Sequence, residues 1–323
     1  MSVLVYTENW DGKFKKLSFE LVSYATKLAE MLNTQSIALS IGEVENSELD
    51  KLGKYGAHKI ISMTGKNFSV LDNQFYSEVI SETAKKEGAT VLVLSNNNAG
   101  KALAPRLSVR LKAGIGASVT RLPISVDPFI VYKKVFSGNA FARILIKSDT
   151  RILTLAQNSF ELAEADNHAS IVNVEMAMAD GQAKTQILEV QKQTGKILLT
   201  DAEIVVSGGR GMKSPDNWGP ILEMASLLGA ATACSRPVSD EGWRPHEEHT
   251  GQTGKIISPN LYFAIGISGA TQHLAGVSSS KFIVAINSDK DAPIFEAANY
   301  GIVGDASKIL PKLVEAIKEI KGK

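Results

Sequence analysis

Residues 202–211, AEIVVSGGRG, form a short apolar run closed by glycines and one arginine. A run of this length bounded by turn residues reads as a strand buried on both faces, as in a parallel sheet. Three more runs in the last third of the chain end in the same way. CSR follows GAAT by residue 236, SGATQH follows YFAIGI by residue 273, and NSD follows FIVAI by residue 289. Helix-like segments, Gly219 to Gly229 and a closing helix from Ser307, alternate with them. The spacing predicts a doubly wound parallel sheet over residues 196–323. Its four polar clusters converge beyond the carboxyl ends of the strands, where open parallel sheets take their ligands.

The preceding part of the chain has a related rhythm. VLVY, SIALSIG and VLVLSN alternate with amphipathic segments at Ser18 to Leu32, Gln74 to Lys86 and Ala99 to Lys112. This predicts a mostly parallel α/β sheet with helices on both faces. From Phe129 onward, VYKKVF, FARILIKS and RILTLAQ read as neighbouring strands joined by tight turns, an antiparallel extension of that sheet. Residues 178–196 are polar and turn-rich around one candidate strand and suit a passage between domains. The expected domains are therefore 1–190 and 196–323. Along the closing helix Ile309, Leu313, Ile317 and Ile320 fall at three- and four-residue steps and predict a core-facing stripe.

Composition removes several classes of function. The chain has 323 residues, enough for two cores, and 35 Lys and Arg against 34 Asp and Glu give a net charge of +1. Such a surface has no general attraction for nucleic acid or an anionic membrane. A single cysteine, Cys234, excludes an internal disulfide framework and a cysteine metal cluster, and it fits a reducing compartment. The start, MSVLVYTENW, lacks a basic segment followed by an apolar core, so a mature N terminus is expected there. LYFAIGIS is far shorter than the roughly 20 residues that span a bilayer, so no stable membrane insertion is expected.

Familiar motifs fit poorly. SGGRGMKS places Ser214 where a dinucleotide fingerprint needs glycine or alanine. GKA at 100–102 is no phosphate loop, and TENWDGK at 7–13 has no glycine–serine run that would mark an ATP-using first domain. GISGA at 266–270 lacks the second glycine of a nucleophile elbow. His246 and His249, in HEEH, stand three apart among prolines and glycines and read as two exposed loop histidines, with no zinc-protease spacing. Cys234 reads as a small buried thiol, and Trp218 and Trp243 as packing or anchoring residues. His273 follows an apolar strand where a helix begins.

The stretch TGQTGKIISPNLYFAIGISGATQHLAG, residues 250–276, has glycines on both sides of one strand, so a ligand could meet backbone from two directions. Arg210 suits a phosphate through its planar fork, and Asn287 with Asp305 offers groups for a ribose or a base edge. An extended nucleotide-containing ligand fits this set.

Together VSGGRG (206–211), the Ser235–Arg236 pair, TGQTGK (250–255), SGATQHLAG (268–276), VAINSD (284–289) and PIFEAANYGIVGD (293–305) resemble the alpha subunit of electron transfer flavoprotein, including its FixB-like members. The resemblance covers the second domain throughout and the first through its layout and GKALAPRL. It implies one FAD per alpha subunit. By position Arg210 meets the pyrophosphate, Ser268, Gly269, Ala270, Thr271, Gln272 and His273 wrap the phosphates and reach the flavin, and Asn287 and Asp305 lie toward the adenosine. Ser235, Arg236, Gln252 and Thr253 fall around the ring, and Thr250, Gly251 and Ala306 are further expected cofactor-binding positions.

A flavin that passes single electrons is tuned by charge and donors near N1 and O2. Arg236, always protonated, and His273 are the residues expected to supply them, with Thr253 a hydrogen-bonding partner for N5. The resemblance further implies a heterodimer in the bacterial cytoplasm whose first domain meets an electron transfer flavoprotein beta subunit holding AMP. That dimer would be an electron carrier with no substrate-converting site. It would serve fatty acid beta-oxidation by linking flavin dehydrogenases, such as acyl-CoA dehydrogenases, to a membrane electron transfer flavoprotein–quinone oxidoreductase. The alternative is an electron-bifurcating NADH-dependent complex with a second FAD in the beta subunit.

Overall fold

The run SVLVYT at Ser2–Thr7 is buried at every position and lies between Gln35–Ile41 and Ala89–Ser95, pairing in parallel with both. A computed structural model describes residues 1–65, 68, 71–136, 140–165, 167–176, 188–189 and 197–322. Two compact units divide the chain: Met1–Val135 with Phe141–Val190, and Phe136–Ala140 with Gln191–Lys323.

In the first unit the sheet continues from Gln35–Ile41 to Lys59–Thr64 and the edge strand Ser170–Glu175, all parallel. On the other side of Ala89–Ser95 lies Arg151–Leu155, then Gly114–Val119, both parallel. Beyond these, Phe129–Val135 is antiparallel to Gly114–Val119, and Ala140–Leu145 follows it in the sheet. Successive strand residues point to opposite faces. Val3, Val5, Val91 and Val93 therefore meet Leu21, Tyr24 and Leu28 of helix Lys16–Met31 and Leu49 and Leu52 of helix Asn46–Lys54. Leu4, Tyr6, Leu92 and Leu94 meet Phe75, Val79 and Ile80 of helix Asn73–Lys86 and Leu103 and Leu107 of helix Asn98–Leu111. Each fully buried leucine or valine in these layers contributes on the order of 2 kcal/mol. Two helix starts are fixed by capping: Asp72 accepts from the Phe75 N–H at 2.8 Å and Asn97 from the Gly100 N–H at 3.0 Å.

One expectation changes. RILTLAQ does not extend the antiparallel part: Arg151–Leu155 is a central parallel strand. Ile152, Leu153 and Leu155 are fully enclosed there, and a strand covered on both faces needs a continuous apolar run. Helix Asn46–Lys54 and strand Ser170–Glu175 occupy segments for which no element was assigned. The candidate strand within 178–196 lies outside the described residues, Leu188 and Glu189 apart.

The second unit is a five-stranded parallel sheet in the order Ala231–Cys234, Ile204–Gly208, Leu261–Ile265, Phe282–Asn287, Tyr300–Val303. In chain order this reads second, first, third, fourth, fifth, so the winding reverses between Ile204–Gly208 and Leu261–Ile265. Helix Gly219–Leu228 ends at Gly229, whose φ of +62° is the left-handed conformation that glycine adopts without strain. The closing helix, Ala306–Ile320, buries Ala306, Leu310 and Val314, with Ile309, Leu313 and Ile317 beside them. Ile320 is 85% exposed, so the stripe is rotated from the expected line and leaves the core before its last residue.

Candidate functional site

The reversal of winding marks the crevice in which doubly wound sheets hold ligands. There the chain leaves Ile204–Gly208 through Gly209 and Gly211, whose N–H groups donate to Ile265 O at 2.8 Å and Gly266 O at 2.9 Å. Gly266 has φ +61°, and a Cβ on it would lie 2.8 Å from the Gly211 Cα. Two loops thus pass backbone to backbone, which only glycine allows at this distance.

The next loop is tied to the same place. Thr250 is fully buried and donates from its N–H to Cys234 O at 3.1 Å, beside the end of strand Ala231–Cys234. The Gln252 N–H donates to Gln272 O and the Ile257 N–H to Gly276 O, each at 2.8 Å. TGQTGK and SGATQHLAG are therefore bound to each other, with Gly276 facing Gly251 so closely that a Cβ would stand 2.5 Å from its Cα.

Between these loops lies a cavity of about 560 Å³. Of the residues expected at a ligand, Arg210, Ser235, Arg236, Thr250, Gly251 and Gln252 line it, as do Thr253, Ser268, Ala270, Gln272, His273 and Asn287. Gly269, Thr271, Asp305 and Ala306 are not in its wall. Gly269 instead lets the chain pass Ile294, whose N–H donates to Ser268 O at 3.0 Å. Ala306 is buried in the core under the closing helix. Asp305 caps that helix through the Ser307 N–H and pairs with Lys213 at 2.9 Å, which together hold its carboxyl well below the ordinary carboxylate range. Asn287 donates from Nδ2 to Ile267 O at 2.9 Å and accepts from the Asp289 N–H at 3.0 Å.

His273 is enclosed in the wall, 7% exposed. Its Nε2 lies 2.8 Å from the Tyr262 hydroxyl, and its Nδ1 is enclosed without a hydrogen-bond partner. Burial, with His249 nearby, pushes the imidazole down to about 4, against a smaller pull from the Thr250 backbone, so it is neutral at pH 7. Two cations stand at the rim: Arg236, paired with Asp240 at 3.2 Å, and Arg210, 3.9 Å from Glu241. Both side chains remain about two-thirds exposed, at 64% and 67%.

His249 corrects the reading of HEEH. His246 is exposed, but His249 is only 5% exposed and lines the cavity, because the Lys255 N–H donates to its carbonyl at 2.9 Å and folds TGQTGK back over it. Burial, the largest cause, lowers its pKa, with Asp240 opposing and His246 and Arg236 assisting. Asp289 of the NSD cluster and Pro293 also line the cavity, as do Pro237, Ile267 and Ala292, which lie outside the marked clusters. The last three each adjoin a marked cluster in the sequence. Cys234 is a fully buried thiol raised to about 12 by burial, and Trp218 packs in the core over Gly208, both as expected. Among the described residues no group of three or more metal-ligating side chains occurs, and no helix is long and apolar enough to cross a membrane.

Comparison with known proteins agrees with this geometry. Residues 3–190 match the family described as electron transfer flavoprotein domain, and residues 198–278 match the electron transfer flavoprotein FAD-binding domain. The electron transfer flavoprotein subunit alpha of Bacillus subtilis (strain 168) is 34% identical, covering 98% of each chain. Protein FixB of Clostridium saccharobutylicum is 33% identical over 98% of this chain and 96% of its own. The acryloyl-CoA reductase electron transfer subunit beta of Anaerotignum propionicum is 32% identical over 99% of this chain and 96% of its own. Two family matches in tandem and relatives aligned from end to end place the chain in the electron transfer flavoprotein alpha-subunit family, which includes the FixB proteins.

Proposed function

We propose that the chain is the FAD-holding alpha subunit of a heterodimeric electron carrier, with FAD seated in the cavity at the reversal of the second sheet. The single observation that carries this is the convergence of Arg210, Ser235, Ser268 and Asn287, from four separate strand ends, on that one cavity. The volume falls in the range of cofactor pockets. The exposed guanidinium of Arg210 suits the pyrophosphate and that of Arg236 the electron-rich side of the ring. Gln252, Thr253 and Ser268 add polar side chains, and Asn287 has one Nδ2 hydrogen free beyond its bond to Ile267.

FAD supplies the one-electron chemistry when bound. The chain supplies the fit, two fixed positive charges and a neutral imidazole. Asp305 and Ala306 act one step removed, by starting the helix behind the site, and Gly269 and Thr271 shape the loop that carries Ser268 and Gln272.

Residues 196–323 are the FAD domain in this reading and residues 1–190 meet an electron transfer flavoprotein beta subunit carrying AMP. Ile124, Phe141 and Leu145, each close to half exposed on the outer strands and their approach, support an apolar contact there. The heterodimer takes electrons from flavin dehydrogenases, acyl-CoA dehydrogenases of beta-oxidation among them, and delivers them to electron transfer flavoprotein–quinone oxidoreductase. It converts no substrate of its own. A second reading, the FAD subunit of an electron-bifurcating NADH-dependent complex, is favoured by the name of the Anaerotignum relative, an electron transfer subunit of a CoA-ester reductase.

The test is co-expression with the neighbouring beta subunit, an absorption spectrum and a count of released cofactors. One FAD with AMP supports the single-electron carrier, two FAD support bifurcation, and no flavin overturns both.

A further inference from the structure

The motif HEEH has no part in the reading above, yet it brings an imidazole to the cavity. The rings of exposed His246 and buried His249 are 6.4 Å apart between centroids. Gly251 separates His249 from His273: a Cβ there would stand 3.5 Å from Nε2 of His249 and 3.6 Å from the His273 Cα. His273 in turn meets Tyr262. Three imidazoles thus stand in sequence from the surface inward, and the second and third both line the cavity.

We propose that His246 and His249 form a proton entry to the flavin cavity, and that His249 takes one proton from solvent when the bound flavin gains one electron. The inference rests on the flavin reading of this cavity. In its balance, one electron passes from an external reductant to the flavin and one proton passes from water to the free ring nitrogen of His249. The charge of the site is then unchanged, and no bond in the chain breaks.

The charges already present explain why a proton is needed. Arg236 is held by Asp240 and Arg210 by Glu241, so each rim cation is partly balanced before any electron arrives. An added negative charge in an enclosed site is costly unless paired. His273 is a poor acceptor, because Tyr262 occupies one ring nitrogen and the other is sealed from solvent. His249 has exposed His246 beside it, whose Nδ1 lies 2.8 Å from the hydroxyl of buried Ser239.

The groups facing His249 are few. Arg236 and Asp240 come from the helix Arg236–Asp240, His246 from its own turn, and His273 from the helix Thr271–Val277. Glu248 is neutralised by Arg244 through contacts of 2.6 and 2.8 Å, and Cys234 is a protonated thiol. Burial keeps the imidazole neutral near pH 7 until a negative charge enters, and such a charge raises the pKa of a nearby imidazole.

The experiment uses the full chain purified with its beta subunit, flavin bound, as wild type, His249→Gln and His249→Asn. Redox-difference infrared spectra with ¹⁵N-histidine, reduced by dithionite, read protonation directly. Potentiometry between about pH 6 and 8 reads the coupling. An imidazolium band on reduction, absent from both variants, supports the proposal. So does a first-electron equilibrium constant that changes about tenfold per pH unit in the wild type, ~59 mV for one electron, and less than about threefold in the variants. No imidazolium band in flavin-loaded wild type overturns it, as does an unchanged pH slope in the variants. If neither variant folds, the wild-type spectrum alone decides. A preparation whose cofactor count shows no flavin overturns the flavin reading as well, and so is told apart from a failure of His249 alone.

Discussion

The hydroxyl of Tyr262 stands 2.8 Å from Nε2 of His273, and both side chains are buried. Burial raises the tyrosine's pKa well above its ordinary value and lowers that of the imidazole, so the bond joins two neutral groups at pH 7.

Tyr262→Phe keeps the ring and removes the bond. Nε2 of His273 is left buried and unsatisfied, so the ligand-free protein is expected to lose about 1–3 kcal/mol, read as a lower urea midpoint with an unchanged slope. A variant as stable as the wild type would mean that the hydrogen bond is not formed in solution.

Acid destabilisation follows from the same imidazole. His273 has a folded pKa of about 4 against the ordinary value of 6.5, so between these values the unfolded chain binds more protons than the folded one. Its contribution is intact above pH 6.5 and falls as the pH drops toward 4, by about 3 kcal/mol in all. Thermal melts of the flavin-free wild type and His273→Gln across this window check the sign: the difference between them must change with pH in that direction.

Arg236→Ala separates folding from binding. The side chain is 64% exposed and its pair with Asp240 is a surface i,i+4 contact, so stability is expected to change by less than about 0.5 kcal/mol. Flavin dissociation is expected to rise about tenfold or more, because a charge-assisted contact to the ring is lost. Equilibrium dialysis beside a thermal melt reads both; a lower melting temperature with unchanged affinity would contradict the assignment.

Gly266→Ala tests the crossing of the two loops. The residue has φ +61°, and its new Cβ would meet backbone atoms of Gly211 at 2.8 and 2.9 Å, which cannot rotate away as a side chain could. Left-handed strain and overpacking together are expected to cost about 3 kcal/mol, measured by chemical denaturation of the flavin-free chain.

The cavity was legible because its residues cluster at strand ends. Arg210, Ser235 and Ser268 each follow an apolar run, Arg210 after the glycines that close it, and the sheet brings such positions together whatever else the chain does. Asp305 shows the limit of that signal. It also follows a strand and a glycine, yet an aspartate before a helix is at least as well used as a cap, and Lys213, 92 residues away, was there to pair with it. Arg151–Leu155 was misread because a buried central strand and an edge strand both appear as short apolar runs. Only its neighbours distinguish them, and those come from residues 91–95 and 114–119. His249 was misread because flanking prolines and glycines predict a loop correctly but say nothing of whether another loop covers it.

The central placement of Arg151–Leu155 also bears on the order in which a growing chain can assemble. Gly114–Val119 leaves the ribosome well before its inner neighbour exists, and Ala89–Ser95 meanwhile offers an open edge that only residues 151–155 will fill. For those dozens of residues the nascent sheet has two halves and exposed strand edges of the kind that attract other chains. A chain cut before residue 151 would keep both halves and lack the strand that joins them. Protection during synthesis, by a chaperone or by speed of translation, is therefore needed most in the interval before Leu155 emerges.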